Sequence, residues 1–341
     1  MASLPLTPRA AGFRMPPEWA PHSATIMLWP SRRSLWEDRY DTARDEYAKV
    51  AAAIAAFEPV FMVCEPDAVA DVRRRCPSTV TPLPFGADDS WARDCGPTFV
   101  TDDAGELAVV KFGFNAWGNR FHPYDQDALV PERIAAHFGV PLFSAPMVLE
   151  GGSFFVDGEG TMITTEQCLR NPNRNRHLGT EDIERMVGDY LGIDRVIWLP
   201  YGHSLDTGPT GTDGHIDGVA QYVAPGRVLL EVPESEDSTE FARARANLAA
   251  LRGALDARGR SIEVERFDPP LDAEVSYANH YLVNGAVIVP VDGGDGVERS
   301  LGRLREIYPG REVVGVRADT IATGGGGPHC ITQQIPAGLA L

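Results

Sequence analysis

The chain alternates between two kinds of hydrophobic spacing. Apolar residues recur at helical intervals over Glu37–Phe57, Asp125–Phe138, Thr180–Leu191, Thr239–Arg258 and Ser300–Tyr308, which predicts five helices. A short apolar run follows each helix, at Pro59–Cys64, Pro141–Ala145, Arg195–Leu199, Ile262–Phe267 and Glu312–Arg317, and these read as strands. After a loop comes a third signature, two apolar runs around a glycine turn: TFVTDDAGELAVV, SFFVDGEGTMITT, AQYVAPGRVLLEV and HYLVNGAVIVPV, four predicted hairpins. Their turn glycines Gly105, Gly160, Gly226 and Gly285 stand 55, 66 and 59 residues apart, a helix–strand–hairpin unit repeated about every 60 residues.

A fifth unit ends early. Only the run HCITQQI precedes the C-terminus, while the run SATIMLWP near the N-terminus has no partner. Pairing the two would close the array into a ring and leave no sheet edge between first and last units. The predicted fold class is therefore α/β, a five-bladed α/β propeller of pseudo-fivefold repeats whose ring is closed by the N-terminal strand. Residues 1–341 form a single catalytic domain in this reading; the alternative is an ordinary α/β sandwich carrying coincidental hairpins.

Composition narrows the partners. The formal charge is −17, which argues against nucleic acid or an anionic membrane surface and suits a small cation, although an acidic balance is also common in soluble enzymes. No apolar run approaches the roughly 18 residues of a membrane span, and the proline-broken N-terminus lacks the apolar core of a signal peptide, so a cytoplasmic protein is expected. Cys64, Cys76, Cys95, Cys168 and Cys330 are scattered without a CxxC pair, which speaks against disulfides and against a zinc site. No metal or cofactor is expected, and only Cys330 has an informative neighbourhood.

Polar motifs fall at the same stage of different units. Asp88-Asp89-Ser90-Trp91-Ala92-Arg93-Asp94 places carboxylates and a tryptophan just before one hairpin, where a solvated acidic loop would be the plain alternative. Leu149-Glu150-Gly151-Gly152-Ser153 precedes the next, and alone could be merely a turn. Gly214-His215-Ile216-Asp217-Gly218 opens the third; on a strand its His-x-Asp spacing would turn both side chains to one face. Four glycines, Gly324–Gly327, lead into Pro328-His329-Cys330, and such a run is tolerated where backbone must approach a ligand closely.

One cysteine, one histidine and three or more carboxylates make a site too acidic for acyl transfer, because extra carboxylates would oppose a developing oxyanion. They suit a cationic electrophile. A guanidinium is planar and permanently charged, so two carboxylates can clamp it while a thiolate attacks its central carbon.

WARDCGPTF, LEGGSFFVDGEG with TTEQCLRNPNRN, GHID, SYANHYLVNGAVIVP and GGGGPHCITQQ together resemble the ordered motifs of agmatine deiminases and bacterial-type peptidylarginine deiminases, within the guanidine-modifying superfamily. The resemblance covers nearly the whole chain and implies the five-bladed propeller. It also implies deimination of a guanidino substrate, most directly agmatine and water to N-carbamoylputrescine and ammonia, through a covalent cysteine adduct. Carried over by motif, Cys330 is the nucleophile and His215 protonates ammonia and then activates water. Asp94 and Asp217 hold the guanidinium nitrogens, Glu150 orients His215 through a hydrogen bond, and Trp91 walls the pocket. Asp89 and Gly326, in the same motifs, are further substrate-binding candidates, and Asn171–Arg176 is read as a structural loop near the site. Family analogy also suggests a homodimer.

The chain departs from the pattern where many agmatine deiminases carry an acidic Asp-Glu-Thr-Asn run ahead of the Gly-His, placing a carboxylate to meet the substrate's distal amine. Here Ser204–Gly214 lacks the glutamate, and Asp206 or Asp213 is the candidate substitute. The segment FDPPLDAEV, in a region that helps cover the pocket in the family, is short. Three other readings stay open: a deiminase of another guanidino compound or of peptidyl-arginine, an amidinotransferase, and a non-catalytic scaffold.

Overall fold

A computed structural model describes residues 7–270 and 273–339. The fold is mixed α/β, and its strands form five small sheets among the described residues. Four sheets share one plan. In the first, β4 (Thr98–Thr101) and β5 (Leu107–Gly113) form an antiparallel hairpin, and β6 (Leu142–Val148) adds in parallel beside β5. The helix Val130–Phe138 lies between β5 and β6 in the chain, as a parallel return requires a crossover. The same plan recurs in β7 (Phe154–Val156), β8 (Thr161–Thr165) and β9 (Arg195–Leu199). It recurs again in β10 (Ala220–Ala224), β11 (Arg227–Glu231) and β12 (Glu263–Phe267), and in β13 (Tyr281–Val283), β14 (Ala286–Val291) and β15 (Glu312–Arg317).

The remaining sheet joins the two ends of the chain. Its order is β16 (Thr332–Pro336), β1 (His22–Leu28), β2 (Val60–Cys64), β3 (Val80–Pro84). The expected pairing of HCITQQI with SATIMLWP is present: β1 and β16 run antiparallel, with Ile26 opposite Gln333 and Met27 opposite Thr332.

Each hairpin turns at the predicted glycine, and Gly105, Gly160, Gly226 and Gly285 all have positive φ, between 70° and 99°. The helices Thr180–Leu191 and strands Arg195–Leu199 and Glu312–Arg317 fall at their expected bounds. Others shift: the fourth helix stops at Gly253, before the turn that reaches Gly259, and the fifth starts earlier, at Val297. The phase of the repeat also changes. A strand after a helix pairs with the hairpin before that helix, so each sheet reads hairpin–helix–strand. Periodicity gives the order of elements but says nothing of which neighbours bond. The helix Val69–Arg75 and strand β3 were not expected; β3 (VTPLP) carries two prolines, tolerable because it is the sheet's edge.

No helix among the described residues is long and apolar enough to cross a membrane.

Candidate functional site

Just ahead of the first strand of each sheet, or of β16 in the sheet that joins the chain ends, the chain makes a short irregular connection. Asp94 precedes β4, Glu150–Gly152 precede β7, His215 and Asp217 precede β10, Asn279 precedes β13 and Cys330 precedes β16. Residues far apart in sequence meet around one cavity of about 350 Å³, whose wall includes Asp94, His215, Asp217, Asn279 and Cys330. His215 and Asp217 lie in a turn closed by Val219 N–H on Ile216 O, not on a strand; the turn still delivers both side chains to the cavity.

Cys330 is buried. Its Sγ lies 3.3 Å from Asp217 Oδ2 and receives a hydrogen bond from Asn279 Nδ2 at 3.0 Å, while its own amide donates to Asn279 Oδ1 at 3.3 Å. Burial pushes the thiol well above its usual range, and the charges of Asp217 and Asp94 push it further. Asp217 is in turn held by His329 Nδ1 at 2.9 Å, and His329 Nε2 meets Glu18 Oε2 at 3.0 Å. Although burial opposes ionisation, these contacts hold the Asp217 carboxyl below its ordinary range.

Asp94 accepts from Trp117 Nε1 and from Gly152 N, each at 3.0 Å, and its Oδ1 lies 3.7 Å from His215 Nδ1. Burial raises its carboxyl to about 6, against the opposing pull of His215. For His215, burial works against the cation, but Asp94, Cys168 and Glu150 around it drive the imidazole well above its ordinary value, so it rests protonated at neutral pH. Glycines make this crowding possible. A Cβ on Gly152 would sit 2.7 Å from His215 Nδ1 and 2.9 Å from both Asp217 Oδ2 and Asp94 Oδ1; one on Gly326 would sit 2.8 Å from Cys330 Cβ.

The arrangement gathers a thiol, two carboxylates and an imidazole on one cavity wall, a set of groups able to bind a flat cation, attack it and protonate what leaves. A family model described as Porphyromonas-type peptidyl-arginine deiminase matches residues 14–336. The chain belongs to that family. It is 40% identical to the agmatine deiminase of Pseudomonas aeruginosa strain UCBPP-PA14 over 97% of each chain. Its fold matches the Enterococcus faecalis agmatine deiminase with a TM-score of 0.94 at 35% identity, covering 98% of both chains. A substrate-bound C. jejuni agmatine deiminase matches at 0.86 and 25%, over 96% of this chain and 97% of that one.

Not every family position takes the place expected of it. Trp91, Asp89, Asp206 and Gly326 line the cavity, whereas Glu150 and Asp213 do not. Asp213 points into a buried ionic cluster, bonded to Arg120, to Arg174 Nη1 at 2.6 Å and to Asn173 Nδ2 at 2.8 Å. Asp206 faces the cavity, but its carboxylate is occupied by the Thr212 hydroxyl and the amides of Thr212, Gly214 and His215, so it shapes the loop. Asp89 is paired with Arg32 Nε at 2.7 Å.

The expected hydrogen bond between Glu150 and His215 is not formed, and Arg174 Nε donates instead to Glu150 Oε1 at 2.6 Å. Glu150 Oε2 and His215 Nε2 both lack partners. With Cys168 they form a buried trio within 4.8 Å of one another, the donor types of a metal site; Arg174 supplies the positive charge there. Cys168, Arg174, His329, Asn279, Trp117 and Glu18 were not assigned roles from sequence. His329 and Asn279 lay inside quoted motifs, GGGGPHC and SYANHY, and only their contacts distinguish them.

Proposed function

We propose that the protein is an agmatine deiminase-type hydrolase acting on a guanidino C–N bond, converting agmatine and water to N-carbamoylputrescine and ammonia. The observation that carries this reading is the meeting of Cys330, Asp217, Asp94 and His215 on the wall of one cavity, with Cys330 Sγ 3.3 Å from Asp217 and His215 Nδ1 3.7 Å from Asp94. A guanidinium bound at the two carboxylates neutralises the charges that add to burial in holding the Cys330 thiol protonated, so the thiol releases its proton to solvent at lower cost as substrate binds. The thiolate adds to the guanidinium carbon. His215, resting protonated, gives its proton to the departing nitrogen as ammonia leaves, and an amidino-thioether on Cys330 remains. Neutral His215 then takes a proton from water as that water adds to the same carbon. Collapse expels the Cys330 thiolate and yields the urea product.

The same reading extends to architecture. Five hairpin–helix–strand sheets, each presenting one residue group at the same end, with β1 and β16 uniting the chain ends, are what a single five-bladed propeller domain would show.

Purified protein without added metal is expected to release ammonia from agmatine faster than from free arginine, guanidinobutyrate or a peptide with internal arginine. Preference for the peptide would replace the substrate and keep the chemistry.

A further inference from the structure

With Asp213 clamped by two arginines and Asp206 committed to its own loop, the acid that meets the substrate's distal amine lies elsewhere on the cavity wall. Asp89 already has Arg32 as its counter-charge, and Asp217 has His329. Glu240 receives the Ser204 amide and stands 3.8 Å from His203 Nε2, while Glu274 is exposed and solvated. Glu231, the last residue of β11, differs from all of these. It lines the cavity and accepts from Ala278 N at 2.6 Å, from Ser276 and from the Tyr277 backbone, all neutral donors, and among the described residues no cation pairs with it. The cavity's one arginine, Arg243, is turned to Gln167 and the Gly202 carbonyl.

A half-buried carboxylate on a cavity wall without a counter-ion is costly. Burial, with the like charge of Glu240 adding to it, raises the Glu231 carboxyl to about 7. Its location is tied to the nucleophile: the turn Tyr277–Asn279 grips Glu231 through the Ala278 amide and Cys330 through the next side chain, Asn279. Adjacent residues and one hydrogen bond at each end keep Glu231 within about 12 Å of Cys330, close enough for one small ligand to reach both.

We propose that Glu231 is the specificity residue for the distal ammonium of the substrate, so that the site takes guanidino compounds with a cationic tail. The assignment rests on the deiminase reading above. The ammonium supplies the counter-charge that Glu231 lacks, and Glu240 adds to the attraction from the same wall.

The test compares agmatine with butylguanidine, which has the same chain and no amine, in the wild-type protein, Glu231→Gln and Glu240→Gln. Glutamine keeps the acceptor for Ala278 N and removes the charge. The ratio of kcat/KM for agmatine to that for butylguanidine is expected to exceed one in the wild type. In Glu231→Gln it is expected to fall about tenfold or more, chiefly through KM for agmatine. Butylguanidine turnover by the variant shows that the catalytic groups are intact. Agmatine turnover with an undiminished ratio in Glu231→Gln, or a loss of ratio in Glu240→Gln alone, overturns the Glu231 assignment and leaves the deiminase reading standing. A wild-type protein that releases no ammonia from either compound overturns both.

Discussion

In the proposed mechanism Asp94 is placed under opposing demands: it must be ionised to hold a guanidinium, yet burial raises its carboxyl to about 6. His215 is pushed the other way from its ordinary behaviour and keeps its proton above the usual imidazole range. Below about pH 6 the raised Asp94 carboxyl is protonated and neutral. The kcat/KM for butylguanidine, which has no amine to meet Glu231, should therefore fall about tenfold per pH unit there, and fall again at high pH where His215 loses its proton. A pH profile of kcat/KM flat down to pH 5 would contradict this. Gly152 gives a second prediction. Its would-be Cβ lies within 3 Å of His215, Asp94 and Asp217, so Gly152→Ala should lower kcat by about a hundredfold by displacing those groups, measured by steady-state turnover. Cys330, His215, Asp94 and Asp217 were legible in the sequence because charged residues beside glycines at strand entries stand out against apolar runs. The ion pairs of Asp213 with Arg120 and of Glu150 with Arg174 were not foreseen, because no local pattern in the sequence marks a pairing between such distant segments. Glu231 was invisible at the end of the run VLLEV, where it reads as the polar edge of a hairpin.

Among the elements, the segment before β1 carries more than a strand's lead-in. Glu18 takes the Leu282 amide at 2.9 Å, His329 Nε2 at 3.0 Å and Arg93 Nη2 at 3.3 Å, and so ties that segment to β13, to the loop of Asp94 and to the loop of Cys330. Burial opposes its charge, but His329 and Arg93 win, and its carboxyl is lowered to about 2. A depressed carboxyl contributes stability that is complete above the unfolded value, near 4.5, and is lost as pH falls towards 2. Glu18→Gln should cost about 3 kcal/mol at pH 7, by denaturant unfolding, and the difference should shrink steadily below pH 4.5. An equal deficit at pH 7 and pH 3 would show that the loss is one of packing. The hairpins were readable because their turns need glycine at positive φ, a local requirement visible in sequence. The phase of the repeat was not, since the bond between β5 and β6 or between β8 and β9 spans a whole helix, and no local signal marks it.

For the molecule as a whole, the sheet of β16, β1, β2 and β3 brings the chain's two ends together and sets Cys330 two residues before the strand that does so. All five residues of β16 are buried. A chain truncated after Ile331 keeps every proposed catalytic residue, yet should lose its cooperative thermal transition and its activity together. A folded, active truncation would separate the site from the pairing of β1 with β16. The number of small sheets among the described residues and that pairing could be read from the spacing of the turn glycines and from the two unpartnered runs; the apolar clusters that pack between sheets and helices, by contrast, draw on residues from distant parts of the chain. What unites the three scales is the proposal that five equivalent connections assemble a thiol, an imidazolium and two carboxylates around a guanidinium. Ammonia release from agmatine by the wild-type protein and by Cys330→Ala, measured side by side at neutral pH, tests it most directly. Turnover by the wild type, with a loss of at least about a thousandfold in a variant that unfolds at the same temperature, is the predicted result. Ammonia release by Cys330→Ala at a rate near that of the wild type would contradict it.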